Sequence, residues 1–171
     1  MSVIEVRSAD DGDVETMAAI YINAAREGWA HIFGESGLEA LEPPVERFRA
    51  ELASTDPRRQ VLVAEREGRV IGFAVVRPSR DGNEGAVRVG ELDQLYSDPA
   101  VWGQGAGRTL LAAAIETLRE NGFTEATLWV AEANHRPRRI YEAAGWALDG
   151  VTRDKSWRGA SVRDLRYRIE L

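Results

Sequence analysis

The chain has no cysteine. That absence removes disulfides, thiolate nucleophiles and cysteine-based metal sites. Histidine is almost as scarce. The two present, His31 and His135, make no metal site without acids placed beside them, so no metal is expected. No apolar run approaches the length of a membrane span. The first residues, MSVIEVRSADDGD, lack a basic segment followed by an apolar one, so neither a leader nor a membrane partner is expected and the cytoplasm is the expected location. A G-x-S-x-G elbow is missing, which removes the usual serine-hydrolase arrangement. Repeats, low-complexity segments and an evident linker are missing too, and one domain over residues 1–171 is expected.

What remains is an acidic chain with an ordinary apolar content. Its formal net charge is −6, and 44% of the residues are hydrophobic. That balance argues against a nucleic-acid partner and favours neutral or cationic small molecules. The hydrophobic pattern alternates between strand and helix periods. Residues 3–7 alternate as a strand. Val14, Met17, Ala18, Tyr21 and Ile22 recur at helical spacing behind an aspartate cap. Residues 26–42, broken by Gly28, Gly34 and Gly37, fit short helices or a loop. A helix after Pro43 or Pro44, a hairpin over residues 60–77 turning at Glu67 and Gly68, and a strand over residues 86–97 follow. In that strand Leu92 and Leu95 are three apart, and a bulge would return both to one side. Residues 108–120 read as a helix, 124–130 as a strand and 134–144 as a short helix; residues 146–148 begin another strand, and 161–171 is the last strand. Helices between strands with one hairpin imply a mixed α/β sheet.

The stretch 92–111, LDQLYSDPAVWGQGAGRTLL, runs from strand through a glycine-rich loop into a helix. Such a loop offers bare backbone N–H groups to a phosphate. Three glycine patterns compete. A P-loop needs four residues between its glycines and a lysine after the second; here three residues lie between Gly103 and Gly107, and Arg108 follows. A dinucleotide fingerprint starting at Gly105 and Gly107 would need glycine where Leu110 stands. The third pattern fits. WGQGAG after LYSDP resembles the pyrophosphate loop of the GCN5-related N-acetyltransferase (GNAT) family. Asn134, His135, Arg136, Arg139, Tyr141, Glu142, Ala144, Gly145 and Trp146 follow at the distance of that family's second conserved helix. The closing RYRIEL is similar to its last strand. The loop departs at Trp102, where the family commonly carries Arg or Gln; tryptophan there would cover part of the cofactor or pack.

The resemblance implies a central mixed sheet of about seven strands flanked by helices, with a splayed strand pair holding the cofactor. It implies acetyl-CoA as that cofactor. The pyrophosphate would lie on Trp102, Gly103, Gln104, Gly105, Ala106 and Gly107, with Arg108 adding charge in the first helical turn. The pantetheine arm would pair with the strand at Leu95, Tyr96 and Ser97, one of whose N–H groups would face the thioester oxygen. Asn134 and Arg139 would contact the coenzyme, although Asn134 also reads as a helix cap. Tyr141 would assist the leaving thiolate. Glu91 matches the position of a glutamate base in some members, and Asp93, two residues on, would share its side of a regular strand. Trp29, His31, Phe33 and Glu35 are candidates for the acceptor pocket.

The implied reaction is direct transfer of an acetyl group to the primary amine of a small molecule. A peptide N-terminus as acceptor, another acyl donor, and a non-catalytic module that binds acyl-CoA stay open at this stage. A homodimer is expected by family analogy alone.

Overall fold

The computed structural model describes residues 2–82 and 87–171. In chain order it has strand β1 (Glu5–Ser8), helices α1 (Val14–Phe33), α2 (Glu35–Glu39) and α3 (Val45–Leu52), strands β2 (Gln60–Arg66), β3 (Arg69–Pro78) and β4 (Val89–Ser97), helix α4 (Ala106–Glu120), strand β5 (Glu125–Ala131), helix α5 (His135–Ala143), and strands β6 (Ala147–Trp157) and β7 (Ala160–Glu170). All seven strands join one sheet in the order β1-β2-β3-β4-β5-β7-β6. Only β4 and β5 run parallel. No helix among the described residues is long and apolar enough to cross a membrane.

Helices cover the sheet on both faces. Leu110, Leu111, Ala114 and Leu118 of α4 pack on Ala74, Val76, Leu92 and Leu128. On the other face Met17, Ala18 and Tyr21 of α1, with Phe48 of α3, bury Val63, Phe73 and Val75. Strand alternation makes this division possible, since neighbours along β3 serve opposite faces. The β2–β3 hairpin turns at Glu67 and Gly68, both at positive φ (53° and 74°), as a two-residue hairpin requires.

Two expectations are refined. Residues 26–33 are neither loop nor short helices: α1 runs unbroken through Gly28 to Phe33 and stops at Gly34, whose φ is 73°. A mid-helix glycine costs about 1 kcal/mol relative to alanine. It is offset here because Trp29 and Phe33 pack edge-on against Trp157, at 5.8 and 4.4 Å between ring centroids. The strand expected from Ala86 lies in part outside the described residues, and β4 begins at Val89. The strand expected to begin at residues 146–148 is β6, which runs from Ala147 to Trp157.

The bulge foreseen from Leu92 and Leu95 is present. Val75 faces Gln94 while Val76 faces Leu92, which leaves Asp93 as the extra residue. Both leucines meet the α4-side core. At the same place the sheet divides. Strand β4 pairs with β5 only over Val89, Gly90 and Glu91, while β5 continues alongside β7 as far as Ala131. Beyond Glu91 the strands part, and one edge of β4 is left open.

Candidate active site

A cleft of about 660 Å³ fills the wedge between the parted strands. One wall is the open edge of β4, with Leu95, Tyr96 and Ser97 on it. The Asp98 N–H bonds to the Ile71 carbonyl in β3. Backbone direction alternates along a strand, so the amide groups of Ser97 and Leu95 turn to the opposite, open side. The Ser97 carbonyl is taken by the indole N–H of Trp102, at 3.0 Å. Leu95 has no such partner among the described residues, since the pairing of β4 with β5 ends at Glu91, and its N–H and C=O face the wedge.

The floor of the cleft is the glycine loop. Gly103 and Gly105 have φ of 79° and 96°, a left-handed conformation that other L-residues adopt at a cost of about 1–2 kcal/mol. Gly105 is the N-cap of α4 and offers no side-chain cap. The first bond inside that helix runs from the Thr109 N–H to the Gly105 carbonyl. The N–H groups of Ala106, Gly107 and Arg108 are therefore open, at the positive end of a helix dipole. Gly107 does not need its missing side chain for conformation; a Cβ there would sit 3.8 Å from Ile140, an ordinary contact. Arg108, Arg136 and Arg139 line the same end. None is ion-paired among the described residues, and Arg136 stacks its guanidinium 4.3 Å from the centre of the Trp102 ring. Trp102 is thus not a lost donor. Its N–H fixes the loop to the end of β4, and its face carries a cation.

Helix α5 supplies the third wall. Asn134 lines the cleft and makes no side-chain cap, so the capping role expected for it is not what holds it there. Tyr141 is buried, with its ring 6.5 Å from Trp146 and 6.3 Å from Tyr167, and it also lines the cleft. Burial pushes its hydroxyl well above the ordinary tyrosine value, because a phenolate there would lose its hydration. Tyr96 is raised chiefly for the same reason, with nearby Tyr21 adding to it.

The fourth wall is the C-terminal half of α1. Trp29 and His31 reach the cleft. The imidazole Nε2 of His31 lies 2.9 Å from the Ala133 carbonyl, tying α1 to the end of β5.

Five expected residues do not line it. Gln104 turns away, its amide donating to the Ala100 carbonyl and accepting from Arg66. Phe33 is spent in the aromatic cluster with Trp29 and Trp157. Glu35 is exposed at the start of α2. Glu91 and Asp93 point elsewhere: both carboxylate oxygens of Glu91 accept from Arg80, at 2.9 and 3.1 Å, and Asp93 accepts from the same guanidinium. The pair raises Arg80 above its usual value, the Glu91 hydrogen bond being the larger cause. With its oxygens so committed and its side chain buried, Glu91 stands in this arrangement as a salt-bridge partner rather than on the cleft lining. Conversely, Glu27, Gly28 and Arg136 line the cleft without having been foreseen. The break expected near Gly28 hid Glu27; a helix continued to Phe33 places Glu27 and His31 one turn apart on a shared face.

These features have counterparts in known proteins. Residues 21–146 match the Acetyltransferase (GNAT) family. An uncharacterized N-acetyltransferase of Bacillus subtilis is 30% identical over 87% of this chain and 91% of its own length. One of Archaeoglobus fulgidus is 29% identical over 81% and 89%. Among solved structures, a ribosomal-protein-alanine N-acetyltransferase from Brucella melitensis superposes with a TM-score of 0.80 at 28% identity, covering 98% of this chain and 99% of its own. A Salmonella typhimurium protein solved with its cofactor acetyl-CoA has a TM-score of 0.75 at 22% identity, over 98% and 93%, and at that identity shows the shared fold. Parted parallel strands, glycine loop and buried helix tyrosine agree with the sequence match: the chain belongs to the acetyltransferase (GNAT) family.

Proposed function

We propose that the protein transfers an acetyl group from acetyl-CoA to a primary amine of a small molecule. The carrying observation is one cleft that joins an open strand edge, an uncapped helix N-terminus beside three arginines that form no ion pair among the described residues, and a buried tyrosine. These suit the three parts of the coenzyme in order. The pyrophosphate fits the N–H groups of residues 106–108 and the charges of Arg108, Arg136 and Arg139. The pantetheine amides fit the open edge of β4, as an added strand would. Asn134 is placed to hydrogen-bond that arm. The thioester then comes to rest near Leu95 and Tyr141.

In the reaction the amine attacks the thioester carbonyl. Charge grows on the carbonyl oxygen, and the free Leu95 N–H is positioned to receive it. The carbon–sulfur bond breaks with its electron pair going to sulfur. Tyr141, kept protonated by burial, donates to that sulfur. No covalent enzyme intermediate is needed, in keeping with the absence of cysteine. The Salmonella structure with acetyl-CoA supports the donor; the −6 charge favours a cationic acceptor over nucleic acid.

The test is release of free CoA thiol from acetyl-, propionyl- and succinyl-CoA with polyamines, aminoglycosides, amino acids and a short peptide. Amine-dependent release from acetyl-CoA is expected. Binding of acetyl-CoA with no release on any acceptor would overturn the reading in favour of a non-catalytic module.

A further inference from the structure

The cleft is electrically lopsided. Its phosphate end carries Arg108, Arg136 and Arg139, while at the α1 wall stands one carboxylate, Glu27. Glu27 is exposed and forms no ion pair among the described residues. One turn further along α1, on the same wall, lies His31. With Glu91 and Asp93 tied to Arg80, no carboxylate of β4 is among the described residues that line the cleft to receive the proton that leaves the acceptor amine.

The hydrogen bond of His31 decides which of its nitrogens can do so. The Ala133 carbonyl can only accept, so the Nε2 that lies 2.9 Å from it donates and carries the proton. In the neutral ring Nδ1 is then the nitrogen with the free lone pair. The ring is exposed, so a proton collected there can pass to water.

We infer that Glu27 and His31 form the acceptor end of the site: Glu27 draws a cationic primary amine, and His31 Nδ1 removes its proton. The inference rests on the acetyl-transfer reading above. The ammonium gives one proton to Nδ1, which hands it to solvent. The freed lone pair forms the new carbon–nitrogen bond as the carbon–sulfur bond breaks. Tyr141 protonates the sulfur, and its phenolate takes the second proton from nitrogen, which returns the enzyme to its starting state. The other ionisable groups on the cleft are Tyr96 on β4, His135 and Tyr141 on α5, and the three arginines. Of these, only His135 is a type that titrates between pH 5 and 8 when unperturbed.

The experiment pairs kinetics with ring spectroscopy. His31→Gln places an amide N–H where Nε2 was and keeps the bond to Ala133, yet has no basic nitrogen. With the most active amine of the panel it should lower kcat by about 100-fold. Coenzyme affinity should stay within about twofold, and the rise of rate between pH 5 and 8 should disappear. Glu27→Gln should raise KM for a cationic amine about tenfold with kcat nearly kept. Long-range ¹H–¹⁵N spectra of the CoA-bound protein should show His31 protonated on Nε2 and bare on Nδ1. A His31→Gln enzyme with wild-type kcat, a pH rise that survives the substitution, or a ring protonated on Nδ1 would overturn the inference. A wild-type protein that acetylates no amine would overturn the activity instead, and the ring spectrum would still decide the role of Nδ1.

Discussion

The two ends of the cleft are built from different materials. The end assigned to the coenzyme is mostly backbone: the open edge of β4, two left-handed glycines, and the first N–H groups of α4. The end assigned to the acceptor is side chain: Glu27, Trp29 and His31 on one helix. Backbone recognition constrains sequence through glycine, because only glycine takes the φ the loop needs. Side-chain recognition is free to vary with the acceptor. The resemblance to a family was accordingly carried by the first end.

Substitutions can break that contrast. The largest effect is expected where the two ends meet. Tyr141→Phe should lower kcat by about 100-fold, within the span usual for a lost general acid, while calorimetric affinity for acetyl-CoA is unchanged. At the backbone end, Gly105→Ala places a Cβ at φ 96°. A strain of about 1–2 kcal/mol there corresponds to a roughly tenfold loss of coenzyme affinity, with kcat at saturation preserved. Removing one side chain from the same end should matter less. Arg136→Ala should weaken coenzyme binding by about threefold, and the deficit should shrink as salt is added, because the lost interaction is an exposed charge. Smallest of all, Glu91→Gln should change kcat by less than about twofold, since its pair with Arg80 lies off the cleft.

The contrast also has a pH signature. Burial raises the Tyr141 hydroxyl above its ordinary value. A raised value means that the protonated, donating form persists to higher pH. The rate should show no loss from this group up to about pH 10, the unperturbed tyrosine value. A fall below that pH that vanishes in Tyr141→Phe would place the hydroxyl in water.

Much of the backbone end was legible in the sequence. The spacing of Leu92 and Leu95 exposed the bulge, and Gly103 and Gly105 marked a turn that only glycine makes easily. Tyr141 followed from the resemblance of residues 134–146 to the family's second conserved helix. The acceptor end was not legible, for two physical reasons. Gly28 reads as a helix breaker, and only the packing of Trp29 and Phe33 on Trp157, far along the chain, carries α1 past it. Glu91 reads as a free acid, because nothing local reveals that Arg80 folds back over it across the β3–β4 connection. Both points turn on contacts away from the local stretch, which periodicity cannot report. Gln104 shows a milder form, since its neighbours bind the phosphate end while its own side chain serves Arg66.

The central claim is that the wedge between β4 and β5 is the coenzyme site. A crystal structure with CoA tests it most directly. The account predicts the pyrophosphate on the N–H groups of residues 106–108, the pantetheine along β4 at Leu95, and the sulfur beside the Tyr141 hydroxyl. Density for CoA elsewhere, with the Leu95 amide and Tyr141 untouched, would contradict it.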